Sequence, residues 1–247
     1  LISLVLQIYF YLFIYVKVLA HKPKKNNRNI FPFSIIIAGR NEEENIKNFL
    51  PKILSQKYTE FEVIFINDRS DDNSIAVLNE LKEQYQRLQI INLDKKNEIG
   101  GKKSAVTRGI LSSKFEHLIF IDADTYPVSE NLITDISNTY HQNTEIVLGY
   151  GAYEKRPGFL NKLIRFDTLF IALQYFSFAK TGMPYMGTGR NLSYKKSLFM
   201  KNKGFNSHQN LLSGDDDLFI NQAAGKHNTE IVLNPESFTV SIPKLHF

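Results

Sequence analysis

The sequence predicts an α/β protein, a mostly parallel sheet with helices on both faces, preceded by an N-terminal transmembrane helix. Three observations carry this expectation. Short apolar runs at 33–38, 61–66 and 118–121 alternate with segments whose apolar residues recur at helical spacing, as repeated β-α units require. These runs end in polar clusters, Gly39 to Glu44, Asn67 to Ser74 and Asp122 to Asp124. In open parallel sheets, ligands gather at that carboxyl edge. The first twenty residues, LISLVLQIYFYLFIYVKVLA, are broken only by Ser3, Gln7 and Lys17, and such a run is long enough to span a bilayer.

Each element follows from a local pattern. Phe33 to Ala38 is the first strand, and Asn41 is expected to cap the next helix with Glu44 completing a capping box. Ile46, Phe49, Leu50 and Ile53 then share one helix face. Phe61 to Ile66 is the second strand, Ala76 to Leu88 a helix, and Gln89 to Leu93 a short third strand. A polar loop, Asp94 to Gly101, leads to a helix from Lys102 through Ile110 and then to the Leu118 strand. The second half is less regular. Glu145 to Tyr150 reads as a strand. Phe159 to Phe178, rich in aromatics and carrying Lys162, Arg165 and Asp167, reads equally as an amphipathic helix on a membrane surface or a helix covering the sheet. Thr181 to Asn191 is a glycine-rich loop, and Leu192 to Met200 returns to regular structure. Leu211 to Ala224 places three acids at a helix start, and Glu230 to Leu233 is the last expected strand.

Composition narrows the function classes. At 247 residues and 43% hydrophobic content, the chain can build one large domain or two small ones around a real core. It has no cysteine, so disulfide frameworks and thiolate metal sites are excluded. Its six histidines show no ligand spacing. Much of the net charge of +5 lies in His21 to Arg28 rather than among exposed aromatics, so nucleic acid is not an expected partner. That basic block follows the apolar run, which argues against a secretory signal. By the positive-inside rule it places the downstream domain in the cytosol. The expected organisation is a transmembrane helix over 1–20, a basic linker over 21–30 and a soluble domain over 31–247, at a cell (inner) membrane. The first residue is Leu and the end, Pro243 to Phe247, carries no obvious stop signal, so a longer parent chain is expected.

The stretch Leu118 to Pro127 organises the rest. Its apolar run leads into Asp122, Ala123 and Asp124, and two carboxylates where the chain leaves a strand can converge. Without an adjacent Lys or Arg they repel unless a cation sits between them. A hard divalent ion held mainly by substrate phosphates meets that need. An acidic turn with Pro127 and Ser129 as helix-start signals accounts for the same residues, and the polar clusters at the neighbouring strand ends favour the ion.

Taken in order, these segments resemble family-2 glycosyltransferases of the GT-A fold, from Phe33 to about Thr239. Ser34 to Glu42 is similar to the opening strand and Asn-Glu turn. Asn67-Asp68-Arg69-Ser70-Asp71-Asp72 resembles an Asp-Asp-Gly-Ser-x-Asp segment, with Asn67 and Arg69 as departures. Gly101 to Ala105 resembles Gly-Lys-x-x-Ala, Asp122-Ala123-Asp124 the metal motif, and Gly187 to Asn191 the acceptor-side glycine loop. Gly214 to Leu218 resembles Glu-Asp-x-Asp-Leu, with Gly214 in place of the Glu.

The resemblance implies one inverting displacement from a nucleoside diphosphate sugar, UDP-sugar favoured, to a hydroxyl of a lipid or envelope polysaccharide. A divalent cation, Mg²⁺ or Mn²⁺, would stabilise the leaving diphosphate. Asp124 is assigned mainly to that ion, with Asp122 helping through the ion or a ribose hydroxyl. Lys102 would face the diphosphate, although a solvated helix-start lysine explains it nearly as well. Asp68 would accept from the base edge, Ala38 offer backbone groups, Arg40 stack on the ring, and Glu42 contact ribose or base. Asp215 falls on the general base when the Asp-Leu pairs are aligned, and a shift of one gives Asp216. Gly189, Arg190 and Asn191 fall on the acceptor side. The halves divide as 31–125 for the nucleotide sugar and 126–247 for the acceptor. Many membrane members continue past a Pro-Glu-Ser-Phe-like segment to a Gln-x-x-Arg-Trp motif. Here Pro235-Glu236-Ser237-Phe238 is present without it, so a C-terminal truncation is expected.

Other classes fit less well. A sugar nucleotidyltransferase would open on a basic loop, and Gly39-Arg40-Asn41-Glu42-Glu43 is too acidic for a triphosphate. A dinucleotide dehydrogenase would show Gly-x-Gly-x-x-Gly after the first strand. The departures at Asn67 and Gly214 keep open a degenerate nucleotide-binding scaffold of the same fold.

Overall fold

Strand β1 (Phe33–Gly39) is the axis on which the domain is laid down, since it is parallel to both its neighbours, β2 (Phe61–Asn67) and β4 (His117–Phe120). The computed structural model describes residues 2–21, 30–94, 101–208 and 214–243. The basic block from 22 on, most of the loop expected over 94–101, and Leu211 to Ser213 lie outside these residues. β3 (Leu88–Asn92) pairs with β2 in the same direction. On the far side, β8 (Leu192–Lys195) runs antiparallel to both β4 and β6 (Ile146–Leu148), and β6 is parallel to β9 (Thr229–Ile231). The result is a mixed, mostly parallel seven-stranded sheet in the order β3-β2-β1-β4-β8-β6-β9.

Side chains alternate across this sheet and fill a core on each face. Ile36, Ile64, Ile66, Leu118 and Phe120 point to one face, covered by α5 (Lys102–Ser112), α7 (Phe159–Thr181) and α9 (Asp217–Ala223). Phe33, Ile35, Ile37, Val63 and Phe65 point to the other, covered by α3 (Glu43–Leu54), α4 (Ser74–Gln84) and α6 (Leu132–Thr139). Burial on both faces is why the central strands are near-continuous apolar runs, interrupted only near their starts by Ser34, Glu62 and His117. A short helix, α8 (Lys196–Lys201), follows β8. A second sheet of three short strands, β5 (Thr125–Pro127), β10 (Thr239–Ser241) and β7 (Gly151–Tyr153), stands beside the large one.

The N-terminal segment is helical over Ile2–Leu19, with a π-helical stretch, Phe10–Tyr15, between α1 (Ile2–Tyr9) and α2 (Val16–Leu19). Its 18 residues make it long and apolar enough to cross a membrane, and nearly all of its surface is bare. It meets the domain through buried Ile14 and through ring contacts, Phe10 with Phe178 and Tyr15 with Phe170, both at 6.2 Å.

Several expectations are corrected. Asn41 does not cap α3. The N-cap position falls on Glu42, which makes no side-chain cap. The first N–H groups of α3 are satisfied from the next loop: Glu43 N donates to Asp72 Oδ2 (3.1 Å) and Glu42 N to Ser74 Oγ (3.1 Å). The second helix begins at Ser74, whose N–H is held by Asp72 Oδ1 (3.0 Å). It ends at Gln84, because Tyr85 turns extended and frees Leu88 to pair with Val63. The 145–150 strand is shorter, Ile146–Leu148, and β10 lies beyond the last strand expected. For α7, the sheet-covering reading holds for one half of the helix. Its second half buries Ala172, Tyr175 and Phe176 against the sheet, while its first half leaves apolar side chains bare.

Candidate active site

The site begins where β1 and β2 end. Gly39 closes β1, and a Cβ there would stand 2.9 Å from both Ala123 Cβ and Phe65 Cζ. Only glycine lets the Asp122-Ala123-Asp124 turn sit against this strand end, which sequence reading did not anticipate. The β1 and β2 loops are sewn together. Asn41 N donates to Ser70 Oγ (2.9 Å), Asp71 N to Asn41 Oδ1 (2.8 Å), and Asp68 N to Gly39 O (2.8 Å). Buried Asn67 holds the loop from below, giving Nδ2 to Asn92 Oδ1 (3.1 Å) and receiving Ser70 Oγ (2.5 Å). Arg69, where the resembling pattern has glycine, adopts a left-handed φ of 58°, a conformation that side chains larger than glycine seldom take. Its Nε donates to Asp68 Oδ1 (2.8 Å). Asp68 Oδ2 accepts the Gly101 N–H (2.9 Å), so this buried carboxylate ties the β2 end to the start of α5.

Lys102, the first residue of α5, is the hinge of the electrostatics. Its Nζ lies 2.9 Å from Asp122 Oδ1, at the end of β4, and 3.5 Å from Asp215 Oδ2, just before α9. An acid from the first half and an acid from the second therefore meet around one ammonium. Burial pulls the Lys102 pKa down, but the fields of Asp122, Asp215 and Asp216 overcome it and raise the pKa above the usual lysine value. The Asp215 carboxyl is raised, mainly by burial and also by Asp216 and Asp122, with Lys102 opposing.

Asp216 does different work. It is the N-cap of α9, accepting Asp217 N on Oδ1 (3.0 Å), and its Oδ2 accepts the Gly189 N–H in a short hydrogen bond. The glycine loop is thereby pinned to the helix that presents Asp215. Tyr194 of β8 lines the same narrow pocket as Lys102, Asp122, Asp215 and Asp216, stacked on Phe120 at 4.3 Å. Burial, then Asp215 and Asp216, push its phenol well above the ordinary range. Sequence reading missed Tyr194, and its inward place on β8 was the available signal.

An adjoining cleft of about 330 Å³ shares Ala38, Lys102 and Asp122 with that pocket and is further lined by Gly39, Arg40, Glu42, Asp68 and Asp124. Every residue expected to hold the nucleotide sugar or the metal thus faces one cleft. Arg40 is exposed and 3.6 Å from Asp71. Glu42 accepts Asn45 Nδ2 (2.5 Å), and Asp124 Oδ1 accepts Thr125 Oγ1 (3.1 Å). Of the three acceptor-side residues, Gly189 reaches the pocket and Asn191 does not line it. Asn191 is buried and gives Nδ2 to the carbonyls of Tyr150 (3.1 Å) and Ser237 (2.7 Å). Arg190 lays its guanidinium 4.4 Å from the Tyr153 ring centroid, and its carbonyl accepts Thr239 Oγ1 (2.8 Å).

The donor set in the cleft is carboxylate oxygen, which suits a hard ion. Among the described residues, no three His, Cys, Asp or Glu side chains close on one point. An ion here would be completed by ligand oxygens, as Mg²⁺ commonly is.

A two-faced α/β sheet with a polar cleft at its carboxyl edge places the chain in the open-sheet α/β class, whose ligands bind at that edge. The glycosyl transferase family 2 profile matches residues 34–202, and the chain belongs to that family. It is 31% identical over 102 residues to the poly-beta-1,6-N-acetyl-D-glucosamine synthase of Staphylococcus epidermidis, covering 41% of this chain and 24% of that protein. It is 29% identical over 118 residues to the poly(ribitol-phosphate) beta-glucosyltransferase of Bacillus spizizenii, covering 47% and 18%. The chain thus spans about a quarter or less of the length of these curated relatives. Among solved structures, a mannosyltransferase from Pyrobaculum calidifontis in complex with GDP-Man and Mn²⁺ matches with a TM-score of 0.69 at 18% identity, over 95% of this chain and 65% of that one. S. aureus TarS 1-349 in complex with UDP-GlcNAc matches with a TM-score of 0.66 at 17% identity, over 87% and 60%. These two likenesses establish the shared GT-A fold.

Proposed function

We propose that the chain is the catalytic part of a membrane-anchored glycosyltransferase that moves a sugar from a nucleoside diphosphate sugar, UDP-sugar favoured, to an acceptor hydroxyl with inversion. The observation that carries this reading is the placement of Lys102 between Asp122 and Asp215, which brings the acids of both halves to one point. Asp68, Glu42, Arg40 and the Ala38 backbone hold the nucleoside end of the cleft. Lys102 neutralises the diphosphate as a point charge. Asp215 takes the proton from the attacking hydroxyl, and its raised pKa makes it a stronger base than a free aspartate. Asp216 holds the glycine loop in place, Gly189 faces the acceptor side, and Arg190 and Asn191 brace the loop behind it. Asp124, with Asp122, would hold Mg²⁺ or Mn²⁺ together with donor phosphates. When bound, such an ion supplies Lewis-acid stabilisation of the leaving diphosphate.

The acceptor is a lipid or a growing envelope polysaccharide, a reading supported by the apolar helix Ile2–Leu19 and by the similarity to a polysaccharide synthase. The basic block after that helix supports an inner-membrane location with the domain in the cytosol. The test is nucleoside diphosphate release from UDP-sugars by the full-length protein with Mg²⁺ or Mn²⁺, compared with Asp124→Ala. Turnover is expected to fall by about 10²-fold or more, several kcal/mol of lost charge stabilisation. Equal turnover in the two proteins would remove the metal assignment.

A further inference from the structure

The first half of α7 presents a row of large apolar side chains that nothing in the domain covers. Phe159 is 80% exposed and Phe166 66%, with Leu160, Leu163 and Leu169 each about half exposed. Positions 159, 163 and 166 fall on one helix face. Isolated exposed leucines are ordinary, but a contiguous row on three turns marks a docking surface. The occupant is indicated by what the row joins. Phe166 stacks on Phe170 at 6.1 Å, Phe170 meets Tyr15 at 6.2 Å, and Phe178 meets Phe10 at 6.2 Å. The bare face of α7 therefore runs directly onto the apolar helix Ile2–Leu19. Exposed Lys162 flanks the row on one side and exposed Asp167 on the other, while half-buried Arg165 lies on a different face. An apolar row continuous with a helix long enough to cross a membrane suits a lipid surface better than another protein's apolar groove.

We propose that the first half of α7 lies in the headgroup and acyl boundary of the bilayer, so that the domain is held to the membrane at two places. The proposal rests on Ile2–Leu19 being the membrane anchor. It has a consequence for the acceptor. α7 ends at Gly182, Phe178 meets Tyr185 at 5.4 Å, and the same loop continues to Gly189 against Asp216. The acceptor side of the cleft is thus coupled through one short loop to the lipid-bound helix.

The chain has no tryptophan, so single substitutions give clean reporters. Phe159→Trp, Phe166→Trp, Phe10→Trp in the anchor and Phe115→Trp before β4 are each placed in the full chain. The proteins are reconstituted in phosphatidylglycerol vesicles with plain or brominated acyl chains. Bromine is expected to remove about half of the emission at positions 159, 166 and 10, and little at 115. Full emission at 159 and 166 with quenching at 10 would overturn the proposal and leave the anchor standing, including when the emission is blue-shifted by a covering protein surface. Full emission at position 10 as well would sink the anchor reading and the proposal together.

Discussion

Asp215 and Asp216 are adjacent in sequence, and the amide variants of each are expected to fail in different ways. Asn at position 215 keeps the volume and removes the base. General-base catalysis contributes about 10²- to 10⁴-fold, or about 3–5 kcal/mol of barrier. The Lys102 side chain is 44% exposed and keeps Asp122 at 2.9 Å. Losing its 3.5 Å pairing with Asp215 is therefore worth under about 1 kcal/mol, so UDP affinity should stay within about fivefold. Asp216 spends one oxygen on Asp217 N and the other on Gly189 N. An amide has one acceptor oxygen, so its NH₂ would face one of those two N–H groups. A buried donor left unmade costs about 1–3 kcal/mol, and for a chain of this size each kcal/mol moves Tm by about 2–4 °C. Asp216→Asn should therefore melt roughly 2–12 °C lower and lose activity through a loosened glycine loop. Single-turnover rates at saturating donor, UDP titration and thermal melting separate the cases. Asp215→Asn turning over within about threefold of the parent, far short of what loss of a base allows, would refute the assignment. So would Asp216→Asn losing the greater activity at an unchanged Tm.

Two further outcomes test the packing. Buried His117 has no partner on Nδ1, and burial, aided by Lys195 and opposed by Glu116, lowers its pKa from 6.5 to about 4. Its contribution to stability is complete above pH 6.5 and is lost as pH falls through 6.5 to 4, because the unfolded chain binds the proton first. The loss is about 3 kcal/mol in all. Denaturant titrations at pH 7 and pH 4.5 should show His117→Phe losing less stability than the parent, and equal losses would contradict the buried neutral ring. A Cβ on Gly109 would stand 2.6 Å from Ile66 Cδ1 and 2.7 Å from Ile36 Cγ2. Gly109→Ala gains about 1 kcal/mol of helix propensity but costs about 1–3 kcal/mol of overpacking. A lower Tm with weaker UDP binding is expected, since α5 carries Lys102, and a more stable variant would contradict the close contact.

The amino-acid sequence by itself determined the strands β1, β2 and β4, the helical face of α3, the start of α5 at Lys102 and the apolar character of Ile2–Leu19. Those features are encoded in residue periodicity and in near-continuous apolar runs, which a chain carries locally. It also determined which polar clusters fall at the strand ends, and so most of the cleft lining. Other features depended on partners distant in the chain. α3 takes its cap from Asp72 and Ser74 rather than from Asn41. β10 forms in a polar segment because β5 and β7 flank it. Tyr194 enters the pocket because β8 runs antiparallel to β4. Only the tertiary structure separated Asp215 from Asp216, giving one to Lys102 and the other to two backbone N–H groups. Three consecutive acids look alike along a chain, and the work of each is fixed by the donors that packing carries to it from other elements.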